Sequence, residues 1–400
     1  MEELLKKIAV DFSDTKIAFS NKSDKELKKT ARLFKLMSNP TLVGIGSTLS
    51  LWANRIRLPF MDSIVESTVF FQFCGGKTLK ESEPAIDKLD KYRVLSVLDY
   101  GAEGKSTEND LDRTLEQLLE GVRFASTNRG VPVVSTKLTS LAANDVLTNW
   151  QTTEGLNADE KVLFENVVER VDRLCSEAYN LDVAVFVDAE ETWMQDTIDH
   201  LVDIMMAKYN KEKVIVYNTY QLYRIDSLGN LKEAYRKAQS QGYILGAKLV
   251  RGAYLEKERE RAQKMGYPSP IQPDKEASDR DYNEAVKFCV ENYETLASCN
   301  ASHNLESNLL QANLIAERNL PKNHRHLNFC QLLGMSDHIT FNLAAAGYNV
   351  GKYVVYGPVK EVLPYLVRRA QENTSVTGDM SRELSLIMEE VQRRGMQNLI

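Results

Sequence analysis

Val183-Ala-Val-Phe-Val187 is an uninterrupted apolar run ending on a carboxylate, Asp188; Thr192 to Tyr209 follows at helical period, and then a second such run, Val214 to Asn218. Two apolar strands joined by a helix read as a parallel pair covered on both faces, because a strand with no polar side has no face to give to water. The alternation continues in both directions. Arg93 to Leu98 and Pro132 to Leu138 come before it, and Ala247 to Val250, Leu296 to Asn300, Leu327 to Cys330 and Lys352 to Tyr356 come after it. Helical stretches follow these runs, such as Leu111 to Arg123 after the first and Val359 to Gln371 after the last. Eight such units predict an α/β fold, a (βα)8 barrel of TIM type. No sequence repeat accompanies them, so the period is architectural.

Residues 1–90 read as an N-terminal helical arm, with helices over Lys25 to Met37, Thr41 to Arg57 and Met61 to Phe73 before Cys74-Gly-Gly76, and no strand-like run. The barrel is expected over residues 91–380 and a C-terminal helical tail over residues 381–400. A chain of 400 residues, 43% hydrophobic and 26% charged, is large enough to bury a core, and its length fits one barrel with an arm as well as two domains.

The net charge of −6 provides no field for a polyanion, and there is no long basic run with interleaved aromatics, so nucleic acid is not an expected partner. The five cysteines are widely spaced and form no Cys-x-x-Cys, which suits a reducing compartment and suggests neither a disulfide framework nor a zinc site. The opening Met-Glu-Glu-Leu-Leu-Lys-Lys resembles neither a secretory signal nor a transit peptide. The apolar stretch Thr41 to Trp52 is shorter than the roughly 18 residues of a spanning helix. A cytoplasmic protein is expected.

In a barrel of this kind chemistry belongs at the carboxyl ends of the strands. Polar residues gather there: Lys137, Asp188, Asn218, Gln221, Arg251 to Tyr254, and His303-Asn304. Lys137 and Asp188 end apolar strands, where a charge needs a partner or a wet cavity; they either bridge one another or face a site. Lys248-Leu-Val-Arg-Gly-Ala-Tyr254 puts a cation inside a buried strand and a glycine just past its end, which serves a turn or a close approach of backbone to a ligand. His303 has no second His or Cys at metal-ligand spacing, and a lone histidine is more often a hydrogen-bonded core residue than a metal ligand.

Tyr365-Leu-Val-Arg-Arg-Ala-Gln-Glu-Asn373, read as a helix, lines up Tyr365, Arg368, Arg369 and Glu372 on one stripe and Leu363, Leu366, Val367 and Ala370 on the other. The polar stripe is either a solvated face with an Arg368–Glu372 pair or a grip for a carboxylate, whose two oxygens match a guanidinium fork. Two motifs carry no function. Asp99-Tyr-Gly-Ala-Glu-Gly-Lys-Ser106 has the tail of a phosphate loop but an Asp where its first glycine belongs, and Gly44-Ile-Gly46 lacks the third glycine and the βαβ unit of a dinucleotide fingerprint.

Taken together, Gly246-Ala-Lys-Leu-Val-Arg-Gly-Ala-Tyr254, Phe329-Cys-Gln-Leu-Leu-Gly-Met335 and Lys352-Tyr-Val-Val-Tyr-Gly-Pro-Val-Lys-Glu-Val-Leu-Pro-Tyr-Leu-Val-Arg-Arg-Ala-Gln-Glu-Asn373 resemble the monofunctional branch of the proline dehydrogenase family, over about residues 70 to 380. The resemblance implies a barrel whose last helix lies over the mouth, and oxidation of L-proline to Δ1-pyrroline-5-carboxylate, the first step of proline catabolism, by hydride transfer from C5 to N5 of FAD. It implies that Arg368 and Arg369 bind the proline carboxylate with Lys137, that Glu372 orders this ionic network, and that Tyr356 and Leu332 pack on the pyrrolidine ring. Asp188, Tyr254 and Tyr365 would support the site. FAD would be contacted by Asn218 or Gln221, Lys248, Val250, Gly252, Ala253, Ser302 and His303.

Membrane quinone is the implied electron acceptor, which allows a peripheral contact with the inner face of a membrane. Lys248 stands where bifunctional relatives carry Arg, and Leu255 where they often carry Trp. Tyr356 points to proline rather than 4-hydroxyproline, since hydroxyproline-oxidising relatives tend to have a smaller residue there. The alternatives are a 4-hydroxyproline dehydrogenase on the same fold and a flavin-free binding or scaffold protein.

Overall fold

The computed structural model describes residues 9–38, 65–101, 107–152, 154–372 and 379–396, with only the backbone described at Gln371, Glu372 and 379–381. The expected Thr41 to Arg57 helix, the start of the Met61 to Phe73 helix, Gly44-Ile-Gly46 and the Gly-Lys-Ser tail lie outside the described residues. Nine strands are present among them: β1 (Cys74–Gly76), β2 (Leu95–Tyr100), β3 (Val133–Lys137), β4 (Ala184–Asp188), β5 (Val216–Gln221), β6 (Leu245–Val250), β7 (Leu296–Ala301), β8 (Leu327–Leu332) and β9 (Asn349–Tyr356). They form one sheet in the order β1-β9-β2-β3-β4-β5-β6-β7-β8, with a further β9–β8 pairing. The fold is the α/β barrel of TIM type with eight parallel strands, β2 to β9. Every expected strand is there, displaced by a residue or a few at its ends, and the expected Thr192 to Tyr209 helix has those bounds.

The chain divides into two compact units, one of residues 103–302 and 306–329 and one of residues 1–102, 303–305 and 330–400. The unit of residues 103–302 and 306–329 holds β3 to β7. Its strand starts are set by how the preceding helices stop. The Ala158–Leu181 helix opens on a capping box, Asn157 accepting from the Glu160 N–H and Glu160 reaching back to the Asn157 N–H. It closes on Asp182 in the left-handed region (φ 57°, ψ 39°), whose N–H returns to the last-turn carbonyls and turns the chain into β4. Gly242 does the same for the Ser227–Gln241 helix ahead of β6. Parallel register then aligns the carboxyl ends: Lys137 is opposite Asp188, and Gln221 opposite Val250.

In the unit of residues 1–102, 303–305 and 330–400, β2 runs along β9 from Leu95 beside Gly351 to Tyr100 beside Tyr356. The strand β1 corrects the reading of a purely helical arm. Two of its three residues are glycines with little strand propensity, so the pattern hides it, but it pairs with β9 at Val355 and Tyr356. Space selects those glycines: a Cβ on Gly75 would come within 2.5 Å of the Val354 side chain, and one on Gly76 within 2.6 Å of the Glu81 backbone. In the same unit Asp337 accepts from Lys22 at 3.0 Å and from Lys352 at 2.9 Å, joining the Asp337–Ala345 helix to the N-terminal segment and to β9. Arg394 donates to the Phe19 and Lys22 carbonyls, fastening the end of the Asp379–Arg393 helix to the same segment.

Candidate active site

At the carboxyl ends of β3 to β6 the polar residues form two knots. In the first, the Lys248 ammonium, buried in β6, donates to Asp188 Oδ1 at 2.5 Å, and Ser135 Oγ donates to the same oxygen at 3.1 Å. Lys248 also lies 5.6 Å from the centroid of the Phe186 ring. A charged pair this deep is held by position more than by net energy, since desolvation offsets much of its attraction.

The second knot is built around Glu190, which the motif reading passed over. Glu190 is only 3% exposed, and both of its oxygens are used: Oε1 accepts from Thr139 Oγ1 at 2.5 Å and Oε2 from the Tyr254 hydroxyl at 2.8 Å. Burial raises its carboxyl above the usual range, against the opposing pull of the Lys137 charge and of the two hydroxyl bonds. Burial likewise pushes the Tyr254 phenol up, and Lys137 again opposes. Lys137 is thus electrostatically tied to this knot. The signal available in the sequence was the second acidic residue two places after a strand-ending Asp, in Asp188-Ala-Glu-Glu191.

Asn218 and Gln221, at the end of β5, are buried and already employed. Asn218 Nδ2 donates to Asp199 at 2.8 Å, and Gln221 Nε2 donates to the Glu190 carbonyl at 2.7 Å. A primary amide has two N–H donors and an accepting oxygen, so Gln221 keeps capacity for a ligand. Arg251, beyond β6, donates to Asp279 at 2.7 Å, to Ser302 Oγ at 2.8 Å and to Ser307 Oγ at 3.0 Å, and it lies over the Tyr282 ring. Gly252 follows at φ +136°, where a Cβ would meet the Tyr223 ring at 2.4 Å. The backbone at Gly252 and Ala253 is left exposed, with Val250 partly so.

In the other unit, Tyr356 ends β9 and packs its ring against Tyr100 at 5.4 Å between centroids. The Tyr100 phenol, pushed up to about 12 by burial, donates to Glu361 at 3.2 Å in the Val359–Glu372 helix. On that helix Leu363, Leu366 and Ala370 are buried as expected of the apolar stripe, but so are Tyr365 and Arg369, each 8% exposed, with the Arg369 guanidinium 5.2 Å from the Tyr365 ring centroid. Arg368 is half-buried. Two of the four stripe residues, Tyr365 and Arg369, are thus buried where a wholly solvated face would be open. The Glu372 side chain lies outside the described residues. His303 shares a hydrogen bond of 2.9 Å with Ser336 Oγ, and Leu332, at the end of β8, is partly exposed.

A family model described as proline dehydrogenase matches residues 82–382, a span that takes in both knots and the Val359–Glu372 helix. The chain belongs to the proline dehydrogenase family. Among its relatives, proline dehydrogenase 1, mitochondrial, of Drosophila melanogaster is 40% identical over 247 residues, which cover 59% of this chain and 36% of that protein. The match therefore spans about a third of that relative's length. The hydroxyproline dehydrogenase of Xenopus laevis is 31% identical over 423 residues, covering 96% of this chain and 90% of that one. Among solved structures, proline utilization A from Bdellovibrio bacteriovorus, inactivated by N-propargylglycine, superposes with a TM-score of 0.70 at 22% identity, over 90% of this chain and 38% of that one. At that identity the likeness concerns the fold. It agrees with the barrel described above.

Membership in the proline dehydrogenase family accords with the motifs that end β6, β8 and β9. Of the residues singled out by resemblance, Asp188 and Lys248 meet directly, Tyr254 donates to Glu190, on which the Lys137 charge also acts, and Tyr365 and Arg369 share one buried helix face. Ser302 is tied to Arg251 and His303 to Ser336. Among the described residues no helix is long and apolar enough to cross a membrane.

Proposed function

We propose that this protein oxidises L-proline to Δ1-pyrroline-5-carboxylate with FAD as its cofactor, and that membrane quinone, met by peripheral contact, takes the electrons. The observation that carries this reading is the burial of Arg369 and Tyr365 on the helix that bears the family's Tyr-Leu-Val-Arg-Arg sequence. A guanidinium held away from water suits an anionic ligand, and each charge-assisted bond to a carboxylate is worth about 1.5–3 kcal/mol.

On this reading Arg368 and Arg369 hold the substrate carboxylate, with Glu372 ordering the pair. Tyr356 and Leu332 offer apolar surface to the ring, and Tyr365 braces the Arg369 fork. Lys137, Asp188 and Tyr254 supply the polar support described at the ends of β3, β4 and β6. Loss of a hydride from the carbon beside a secondary amine requires the nitrogen lone pair, so the amine must reach the reactive state neutral. Orientation then counts for more than a strong base, and fixing the carboxylate with two forks restricts the ring to few poses, an effect worth several kcal/mol.

The strand ends fit a flavin. The exposed Gly252-Ala253 backbone leaves room for a flat ring to approach, and Gln221 retains donor and acceptor capacity beside it in sequence register with Val250. FAD held by Asn218 or Gln221, Lys248, Val250, Gly252, Ala253, Ser302 and His303 would supply the hydride acceptor.

The likeness to a hydroxyproline dehydrogenase over nearly the whole chain favours one second reading, 4-hydroxyproline as substrate. The bulk of Tyr356, packed on Tyr100, argues for the ring without the 4-hydroxyl group. The test is an absorbance scan of the purified protein before and after anaerobic addition of each amino acid: flavin bands that bleach with proline, and a larger kcat/KM for proline, support the proposal. No flavin bands even after adding FAD, or a preference for hydroxyproline, would overturn it.

A further inference from the structure

We propose that Glu190 is a positioning residue that sets the Tyr254 phenol, so that Tyr254 presents an accepting oxygen and not a donating hydrogen to the substrate; this rests on the proline dehydrogenase reading and adds a residue to it. The argument is one of hydrogen-bond direction. Each Glu190 oxygen accepts from one hydroxyl, Oε1 from Thr139 at 2.5 Å and Oε2 from Tyr254 at 2.8 Å, and the Lys137 charge opposes the effect of burial on this carboxyl. Both hydroxyls therefore donate inward. With its single hydrogen committed to Glu190, Tyr254 has only lone pairs left for any other neighbour.

The Glu190 main chain is held as firmly as its side chain. Its N–H donates to Gln195 Oε1 at 2.7 Å and its carbonyl accepts from Gln221 Nε2 at 2.7 Å. Gln195 Nε2 in turn donates to Asp199 Oδ1 at 2.8 Å, the oxygen that also accepts from Asn218 Nδ2 at 2.8 Å. One hydrogen-bonded network thus runs from the amides proposed to touch the cofactor, Asn218 and Gln221, through the backbone of Glu190 to the Tyr254 phenol. The Lys137 charge favours the ionised carboxylate against burial and the neighbouring Glu191, and Glu191 accepts from Lys257 at 2.7 Å. A phenol fixed as acceptor suits a substrate whose amine carries hydrogens, and it helps to hold the ring in one pose.

The test is a double-mutant cycle on the holoenzyme with proline. Glu190→Gln replaces one accepting oxygen with a donor, which leaves the phenol free to rotate or forces it to accept. The expected result is a fall in kcat of about tenfold to a hundredfold, the scale of one lost bond to a charged group, with KM for proline changed much less because the carboxylate grip is elsewhere. Tyr254→Phe should fall by a similar factor, and the double variant should be no worse than Tyr254→Phe alone. Additive losses, an unchanged kcat, or an effect confined to KM would overturn the proposal. Thr139→Val, which leaves the carboxylate in place, carries the same cycle where Glu190→Gln does not fold. Wild-type protein that does not reduce its flavin with proline would instead defeat the underlying reading.

Discussion

At the scale of the residue, the outcome turns on side chains that are polar and buried together. Arg369 is the clearest case. Its place on the apolar-flanked helix is only 8% exposed, so truncation removes a charge from a dry setting where truncating one member of a charge pair costs about 2–5 kcal/mol. Arg368→Met and Arg369→Met are each expected to raise KM for proline at least about thirtyfold, with a smaller change in kcat, in steady-state assays. An unchanged KM in both variants would remove the carboxylate grip. Gly252 illustrates a different constraint. At φ +136° and with the Tyr223 ring 2.4 Å from where a Cβ would sit, the position admits no side chain, which leaves the adjoining backbone open.

At the scale of the element, the Asp337–Ala345 helix is anchored at its first residue. Asp337 lies between Lys22 and Lys352, and Lys352, fully buried in β9, also donates to the Leu332 and Met335 carbonyls. Burial alone would raise the Asp337 carboxyl, but the two ammonium groups outweigh it and hold it well below the usual carboxylate range. Replacing this carboxylate leaves two cations facing a neutral group in a dry interior. Asp337→Asn is therefore expected to destabilise the protein by about 3–5 kcal/mol in urea unfolding at neutral pH, the range for breaking a buried pair from one side. A loss under about 1 kcal/mol would mean that the Lys22 and Lys352 charges are satisfied without it. The Val359–Glu372 helix is organised differently: Tyr100, from β2, reaches Glu361 in its first turn, so the strand end and the helix start are joined by one hydrogen bond.

For the whole molecule, stability is expected to depend on pH through two buried carboxyl groups, Glu383 and Asp337. Glu383 is raised to about 7, first by burial and then by the negative charge of Asp337, against hydrogen bonds from the Ser336 and Asp337 backbone and the Lys352 charge. Its ordinary value is 4.5, so between that and about 7 the folded state holds a proton the unfolded state has released. The corresponding stability is complete below 4.5 and is lost as pH rises through 7, a change of about 3 kcal/mol. Glu383→Gln should thus match wild type in Tm near pH 5 and exceed it at pH 8. A difference in Tm that does not vary across this range would show that Glu383 does not titrate there. Asp337 acts with the opposite sign, and its contribution is lost only in strong acid.

The barrel was legible in the sequence because its signal is local. Apolar runs such as Val183 to Val187 alternate with helices, and each run states its own burial whatever lies elsewhere in the chain. The family was legible for a related reason, since the residues after β6, β8 and β9 are short contiguous motifs. β1 was not legible: its glycines are selected by the room left beside Val354 and Glu81, which no propensity records. Nor could periodicity decide the polar stripe of the Val359–Glu372 helix, because a helix pattern says which residues share a face and not what that face meets. Only the tertiary structure showed Arg369 buried, joined Asp188 to Lys248, a contact between residues sixty positions apart, and brought Thr139 and Tyr254 onto the two oxygens of Glu190. Partners of a buried charge come from strands distant in the chain, so their identity belongs to packing rather than to any single stretch of residues.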